Sequence, residues 1–327
     1  MQGPATVDLA AYRAHRADRE AGHGDRSDVA SAAKALCDSL RATGFVVVTG
    51  HGIDPAQVQR AHRAFEAFFA LAPDVRARYG GVAGGQRGYT PFGVEQAVGH
   101  PLPDAKEFFH VGPDVEETRD DRPENVWPDE VPGLRAACTG LFSALERCAA
   151  DLLGVIEHGC DLPPGSLSDL VRDGNHVLRA AHYPAREPGD DARVLRAAPH
   201  EDINLITLLC APTDAGLEIR ACDGRWIPVE IAPDALVADA GDMLARITAG
   251  AIPATTHRVV DPPGGARRSR LSLPFFAHPR PDCVLCVLDR FADAARIDDT
   301  PLPPPITAAA FLDERLRAIG LLEDAPT

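Results

Sequence analysis

Apolar residues follow two different periods along this chain. Up to residue 159 they recur mostly at helical spacing; from residue 177 they fall into short runs of strand type. Ala33, Leu36, Cys37 and Leu40 make one face of a helix over residues 29–43, which Gly44 closes. Phe45-Val46-Val47-Val48 is largely β-branched and reads as a buried strand, ended by Gly50-His51-Gly52, where His51 is structural. Asp54 or Pro55 opens a second helix whose stripe, Val58, Ala61, Phe65, Phe68 and Phe69, is core. Leu71-Ala72-Pro73 breaks it, and residues 74–79 form a further short turn. Residues 80–94 are a Gly-rich loop, 106–111 a strand, 113–133 an acidic loop and 134–159 a long amphipathic helix. Ahead of these lie a short strand with a polar continuation at 6–13 and an exposed loop at 14–28.

In the second half, residues 178–183, 205–209, 217–219, 226–229, 235–238, 253–260 and 270–276 are short strand candidates separated by turn residues. Such spacing predicts an antiparallel sandwich or barrel. A helix over 308–316 follows the Pro-rich run 301–305, and a tail begins at 321. No internal repeat is visible.

Composition changes this picture only by exclusion. The 327 residues suffice for one large domain or two modest ones. A net charge of −15 argues against nucleic acid as a partner, because phosphate binding needs a basic face. The eight cysteines are scattered and read as buried free thiols of a reducing cytoplasm; Cys283-Val284-Leu285-Cys286 looks like a strand rather than a zinc or redox site. The polar N-terminus carries no secretory signal pattern, and no apolar run reaches membrane-spanning length. The expectation is a cytoplasmic protein with no membrane partner, for which a monomer suffices.

The chemistry gathers at Ala197-Ala198-Pro199-His200-Glu201-Asp202. If this run is a strand, His200 and Asp202 share a face and Glu201 points away. His257, on another predicted strand, is the candidate third ligand. Two imidazoles and one carboxylate on one face of an octahedral metal leave three positions for a co-substrate and O2, which suits non-haem Fe(II). An anionic co-substrate needs a cation at its far end. Arg270 and Ser272 share a strand face and supply a forked cation and a hydroxyl; Tyr183 can add a third donor. Each signal alone is weak, since twelve histidines are available and His176 and His182 read as satisfied or surface groups. The conjunction of His-x-Asp, a later His and Arg-x-Ser one strand further on is specific.

These residues resemble the isopenicillin N synthase-like branch of the Fe(II)/2-oxoglutarate-dependent dioxygenases, over nearly the whole length. Thr43-Gly44-Phe45, Gly50-His51-Gly52-Ile53, Arg87 to Gly93, Lys106 to His110, His182-Tyr183-Pro184, Thr255 to Val259 and Arg270 to Phe276 carry the likeness. The resemblance implies an α+β fold, a double-stranded β-helix (jelly-roll) core behind a mostly helical N-terminal region. It implies an N-terminal part over 1–135 and a catalytic core over 136–327, forming one compact unit. It further implies that His200, Asp202 and His257 bind iron, and that Arg270, Ser272 and Tyr183 hold the distal carboxylate of 2-oxoglutarate.

Two departures stand out. Ala181 replaces an Asn that plant members carry two residues before the Tyr, so Asn204 is a candidate for holding the near end of the co-substrate. Pro262-Pro263-Gly264-Gly265 adds a turn between His257 and Arg270. Asp202 is present, which argues against a halogenase.

The implied activity oxidises an unactivated C–H bond of a small molecule, by hydroxylation, desaturation or cyclisation. Fe(II), 2-oxoglutarate and O2 are required, and succinate is released. Candidate substrate contacts are Arg87, Tyr89, Phe92, Phe108, His110 and Arg246, the last placed by the resemblance on a strand near the metal. Arg87 reads equally as a structural arginine, and Phe92 and Phe108 equally as core. Two alternatives stay open: an isopenicillin N synthase-type oxidase without 2-oxoglutarate, and a non-catalytic jelly-roll binding protein. A composition rich in Ala, Arg, Gly and Pro points to a GC-rich bacterial genome and is compatible with natural-product tailoring.

Overall fold

The structure, a computed structural model, describes residues 3–14, 27–80, 85–97, 99–114, 123–186, 189–191, 193–262, 268–297 and 301–318. Residues 15–26 of the loop expected at 14–28, most of the extra turn after Pro262, and the tail lie outside the described residues, and residues 27 and 28 already belong to a helix. The first half runs β1 (Thr6–Asp8), α1 (Ser27–Thr43), β2 (Phe45–Thr49), α2 (Pro55–Phe69), α3 (Pro73–Ala77), β3 (Gly88–Thr90), β4 (Glu107–Val111) and α4 (Leu134–Gly159). Then follow β5 (Val177–Tyr183), β6 (Ala197–His200), β7 (Ile206–Cys210), β8 (Leu217–Arg220), β9 (Trp226–Pro228), β10 (Leu236–Ala240) and α5 (Asp242–Ile247). The chain ends with β11 (His257–Val259), β12 (Arg270–Ser272), β13 (Pro274–Ala277), β14 (Val284–Leu285), α6 (Asp289–Ile297), β15 (Ile306–Thr307) and α7 (Ala308–Ala318).

Two sheets face each other. The larger has the order β1-β2-β10-β7-β13-β5-β4-β3, with β12 also on β5; the smaller has the order β6-β11-β8-β9. Apart from the parallel pair β1/β2, neighbours are antiparallel. Phe45, Leu209 and Val237 from the larger sheet meet Leu217 and Ile219 from the smaller in one apolar cluster. The other face of the large sheet is covered by α1, α2 and α4, where the main core lies. There Phe65 and Phe68 of α2 pack on Phe109 of β4, with ring centroids 6.0 and 4.8 Å apart. Each such buried ring contributes roughly 2 kcal/mol of apolar transfer.

Local signals fix the helix ends. Asp54 caps α2 by accepting from Ala56 N at 2.8 Å, and Pro55 occupies the first turn. Gly44 terminates α1 with φ +70°, and a Cβ there would collide with the Thr255 side chain and with Pro253 O. This close approach seats the end of α1 against the segment that leads into β11.

Several boundaries differ from the periodicity. The expected strand at 253–260 shortens to β11, because residues 253–256 run irregularly past Gly44. The run 270–276 splits at Leu273: β12 pairs only with β5, and Pro274, lacking an amide hydrogen, starts β13 between β5 and β7. The CxxC segment does contain a short strand, β14, and all eight cysteines are free, but Cys222 and Cys286 are exposed rather than buried. No helix among the described residues is long and apolar enough to cross a membrane.

Candidate metal centre

His200 ends β6 and pairs directly with His257 on β11. Their rings lie 4.4 Å apart. Asp202 follows two residues later, beyond the strand. Its carbonyl accepts from Asp242 N at 2.7 Å, which anchors the turn to the start of α5. Asp202 Oδ1 stands 3.9 Å from His200 Nε2 and 3.8 Å from His257 Nε2, and one ligand atom from each residue falls within 4.8 Å of the others. The shared-strand-face expectation therefore needs correction: β6 stops at His200, and a turn rather than strand alternation brings Asp202 round. Glu201 is exposed and accepts from Thr256 Oγ1.

Hydrogen bonds set the donor atoms. His200 Nδ1 donates to Ala198 O at 2.7 Å and His257 Nδ1 to Thr255 O at 3.1 Å, so both Nε2 lone pairs face the gap. Thr207 Oγ1 donates to Asp202 Oδ2, and the edge of Phe45 packs on His257 at 5.4 Å. Burial, then the neighbouring His257, push His200 below its ordinary pKa and keep it neutral. Burial and then the Asp202 carboxylate raise Asp239, on β10 nearby, well above the carboxylate range. Two neutral imidazoles and a carboxylate, tied from behind, are a donor set that fits Fe(II).

Two cavities meet at this centre. The smaller, about 70 Å³, is lined by Tyr183, Arg270 and Ser272 as well as by all three candidate ligands. Strand register brings the polar trio together, with Arg270 opposite Tyr183 and Ser272 opposite Ala181. Arg270 is buried, donates to Asp214 O at 3.0 Å and Ser272 Oγ at 3.1 Å, and lies over the Tyr183 ring at 5.0 Å. A buried cation with a hydroxyl beside it is a donor pair of the kind that binds a carboxylate. The larger cavity, about 150 Å³, is lined by apolar groups including Val177, Phe276, Leu312 and Leu316, and by His110, Arg179 and Glu95.

The remaining sequence candidates divide. His110 lines the larger cavity. Asn204 lines it too but not the smaller one, and its amide is used locally, donating to Ile206 O at 2.6 Å and Thr207 Oγ1 at 3.1 Å. It braces the Thr207–Asp202 contact instead. Arg87 is fully buried and bonded to Gln86 O and Asn175 Oδ1, outside the cavity lining. Tyr89 points into the helical core, bonded to Glu107 and packed on Phe68. Phe92 is 46% exposed, away from both cavities. Phe108 is buried beneath Arg179. Arg246 sits on helix α5, not on a strand, and is bonded to Pro304 O over the Phe311 ring.

Arg179, Glu95, Lys106 and His278 also line these cavities, although no motif in the sequence gives them a role. The period-two rule could have found three of them. Arg179 shares parity with Tyr183 on β5, Lys106 precedes Phe108 by two, and His278 follows Phe276 by two.

A β-sandwich that presents such a donor set beside a buried arginine grip is the architecture of a non-haem iron oxygenase. Comparison with known proteins makes this specific. Residues 8–130 match the family model for the non-haem dioxygenase in morphine synthesis N-terminal region, and residues 174–279 match that of the 2OG-Fe(II) oxygenase superfamily. The 2-oxoglutarate-dependent dioxygenase citB of Monascus ruber is 33% identical, over 82% of this chain and 86% of its own. The 2-oxoglutarate-dependent dioxygenase ucsF of Acremonium sp is 32% identical over 70% of this chain and 74% of its own. Among solved structures, a 2OG-Fe(II) oxygenase family protein from Caulobacter crescentus superposes with TM-score 0.84 at 36% identity, covering 98% of this chain and 100% of that one. A full-length Neurospora crassa protein in complex with alpha-KG has the same fold, with TM-score 0.81 at 24% identity, covering 96% and 95%. The chain belongs to the 2OG-Fe(II) oxygenase superfamily, with the jelly-roll core of that family. It is a 2-oxoglutarate-dependent Fe(II) dioxygenase, and its cofactors are Fe(II), 2-oxoglutarate and O2.

Proposed function

We propose that His200, Asp202 and His257 hold Fe(II), and that Arg270, Ser272 and Tyr183 grip the distal carboxylate of 2-oxoglutarate. The enzyme then oxidises an unactivated C–H bond of a small molecule seated in the larger cavity, with hydroxylation as the outcome. Fe(II) with 2-oxoglutarate and O2 supplies the oxidant, and 2-oxoglutarate leaves as succinate and CO2. The observation that carries this reading is that both cavities are lined by His200 and Asp202. On this reading one chamber takes the co-substrate and the other holds a second molecule beside the same three residues.

The protein's own groups bind and position. The backbone carbonyls of Ala198 and Thr255 fix the imidazoles, Thr207 orients Asp202, and Arg270 supplies a permanent cation in a buried chamber where charge pairing is strong. Val177, Phe276, Leu312 and Leu316 keep water from the reacting bond. No general base is needed. The test is succinate formation from 2-oxoglutarate that is stimulated by an accepted substrate and gives one oxygenated product per succinate. Product formation without succinate would overturn the reading. Natural-product tailoring is the setting we favour, on composition and on the cavity's size.

A further inference from the structure

Arg179 lies between the two chambers and lines both. Its guanidinium is stacked 4.2 Å from the Phe108 ring and 5.2 Å from the Phe276 ring. Nε donates to His110 Nε2 at 2.7 Å, and the two terminal nitrogens reach the Glu95 carboxylate at 3.2 and 3.1 Å. Nη2 meets Glu95 Oε2 as an ion pair without hydrogen-bond geometry, so two of the five guanidinium N–H groups are hydrogen-bonded among the described residues. Another polar atom is unspent in the lining: His278 lines the larger cavity, and its Nδ1 is buried without a hydrogen-bond partner among the described residues. The Arg179 N–H groups and His278 Nδ1 are candidate anchors for an orienting polar group on the ligand, in a chamber that Gln86, Gln96 and Asn175 also line.

The charge around Arg179 decides what that group is. Because His110 Nε2 accepts from Arg179, its proton sits on Nδ1, which donates to Gly85 O at 2.7 Å; His110 is neutral. Burial works against ionised Glu95, but Arg179 and Lys106 outweigh it and hold its carboxyl below the usual range. Lys106 is itself shared between Glu95 and Asp104, each at 2.8 Å. Arg179 and Lys106 are therefore balanced by Glu95 and Asp104 before any ligand enters. Arg179 is the single arginine or lysine among the described lining of the larger cavity. A carboxylate placed against it would bring an uncompensated buried charge, whereas a carbonyl oxygen accepts from a spare N–H group without one.

We infer that the substrate is a compact, neutral, mostly apolar molecule presenting a carbonyl-type acceptor to Arg179, with Glu95 as the residue that excludes acids. This deepens the proposed function and rests on its reading of the larger cavity as the substrate chamber.

The protein loaded with Zn(II) and 2-oxoglutarate binds without turnover and allows a ligand-observed NMR titration with two probes of similar shape. These are cyclohexyl methyl ketone and cyclohexanecarboxylate. The ketone is expected to bind about tenfold more tightly than the carboxylate. Arg179→Gln should weaken the ketone by about tenfold, and Glu95→Gln should raise carboxylate affinity to that of the ketone or beyond. Should Arg179→Gln not fold, judged by melting, the probe comparison and Glu95→Gln still decide. Absence of ketone binding, equal affinity for both probes in the unsubstituted protein, or no gain for the carboxylate in Glu95→Gln overturns the inference. Failure of 2-oxoglutarate itself to bind the Zn(II) protein is a separate result, and it counts against the proposed function.

Discussion

At the scale of single residues, the centre depends on direction as much as on identity. Glu201 stands between two candidate ligands yet is exposed, at the edge of the larger cavity, and is held by Thr256. His200→Ala and Asp202→Ala should each abolish iron-dependent succinate formation, while Glu201→Ala should retain most of it. Equal loss in all three would mean that the residues do not divide as the geometry says. Arg270→Ala removes a buried cation bonded in its chamber. It should weaken 2-oxoglutarate binding to the metal-loaded protein by about 100-fold, or ~3 kcal/mol, measured by calorimetry. The placing of Arg270 beside Ser272 was legible in the sequence because the two alternate on one strand, and that parity survives folding. The misplaced candidates fail for a different reason. Tyr89, Phe92 and Arg246 were named for their chemistry near a Gly-rich loop or a presumed strand. Only tertiary packing decides that Tyr89 turns to the core, Phe92 to solvent and Arg246 to Pro304.

At the scale of elements, long periodic segments could be read and short ones could not. The helix ending at Thr43 and the helix from Leu134 to Gly159 have enough turns for their apolar stripes to dominate. By contrast β3, β6 and β15 are two to four residues long and carry no period of their own; pairing partners define them. This is why the register of His200 against His257 was out of reach, although both residues were named. Gly44 ties the two halves at this scale. Its left-handed conformation and its contact with Thr255 leave no room for a side chain. Gly44→Ala should destabilise the protein by roughly 2 kcal/mol or more and lower its melting temperature. Metal affinity should fall with it, because Thr255 O orients His257. An unchanged melting temperature would show that the contact relaxes freely.

At the scale of the whole molecule, buried neutral histidines set the acid response. Burial pushes His62 and His278 down to about 4, and His110 well below its ordinary value. In the unfolded chain these groups titrate near 6.5. Between about 6.5 and 4 the unfolded state therefore binds more protons, and stability falls as pH falls, each group's slope approaching about 1.4 kcal/mol per pH unit. Asp239 and Asp242, both raised first by burial, act in the opposite sense, two carboxyls against these three imidazoles and against His51 and His200, which burial lowers likewise. The depressed carboxyls Glu95 and Glu107 lose their contribution only at lower pH. Melting of the metal-free protein should therefore drop from pH 7 to pH 5. A level profile would mean that these imidazoles are protonated in the folded state.

The central claim is that one metal centre joins the two chambers. Its most direct test is an anaerobic titration of 2-oxoglutarate into the Fe(II)-loaded protein, read by the visible absorption of the chelate. The unsubstituted protein should develop the band to saturation, Arg270→Ala should reach it only at much higher 2-oxoglutarate, and His200→Ala should not develop it. A band of normal strength in His200→Ala, or none in the unsubstituted protein, would contradict the account.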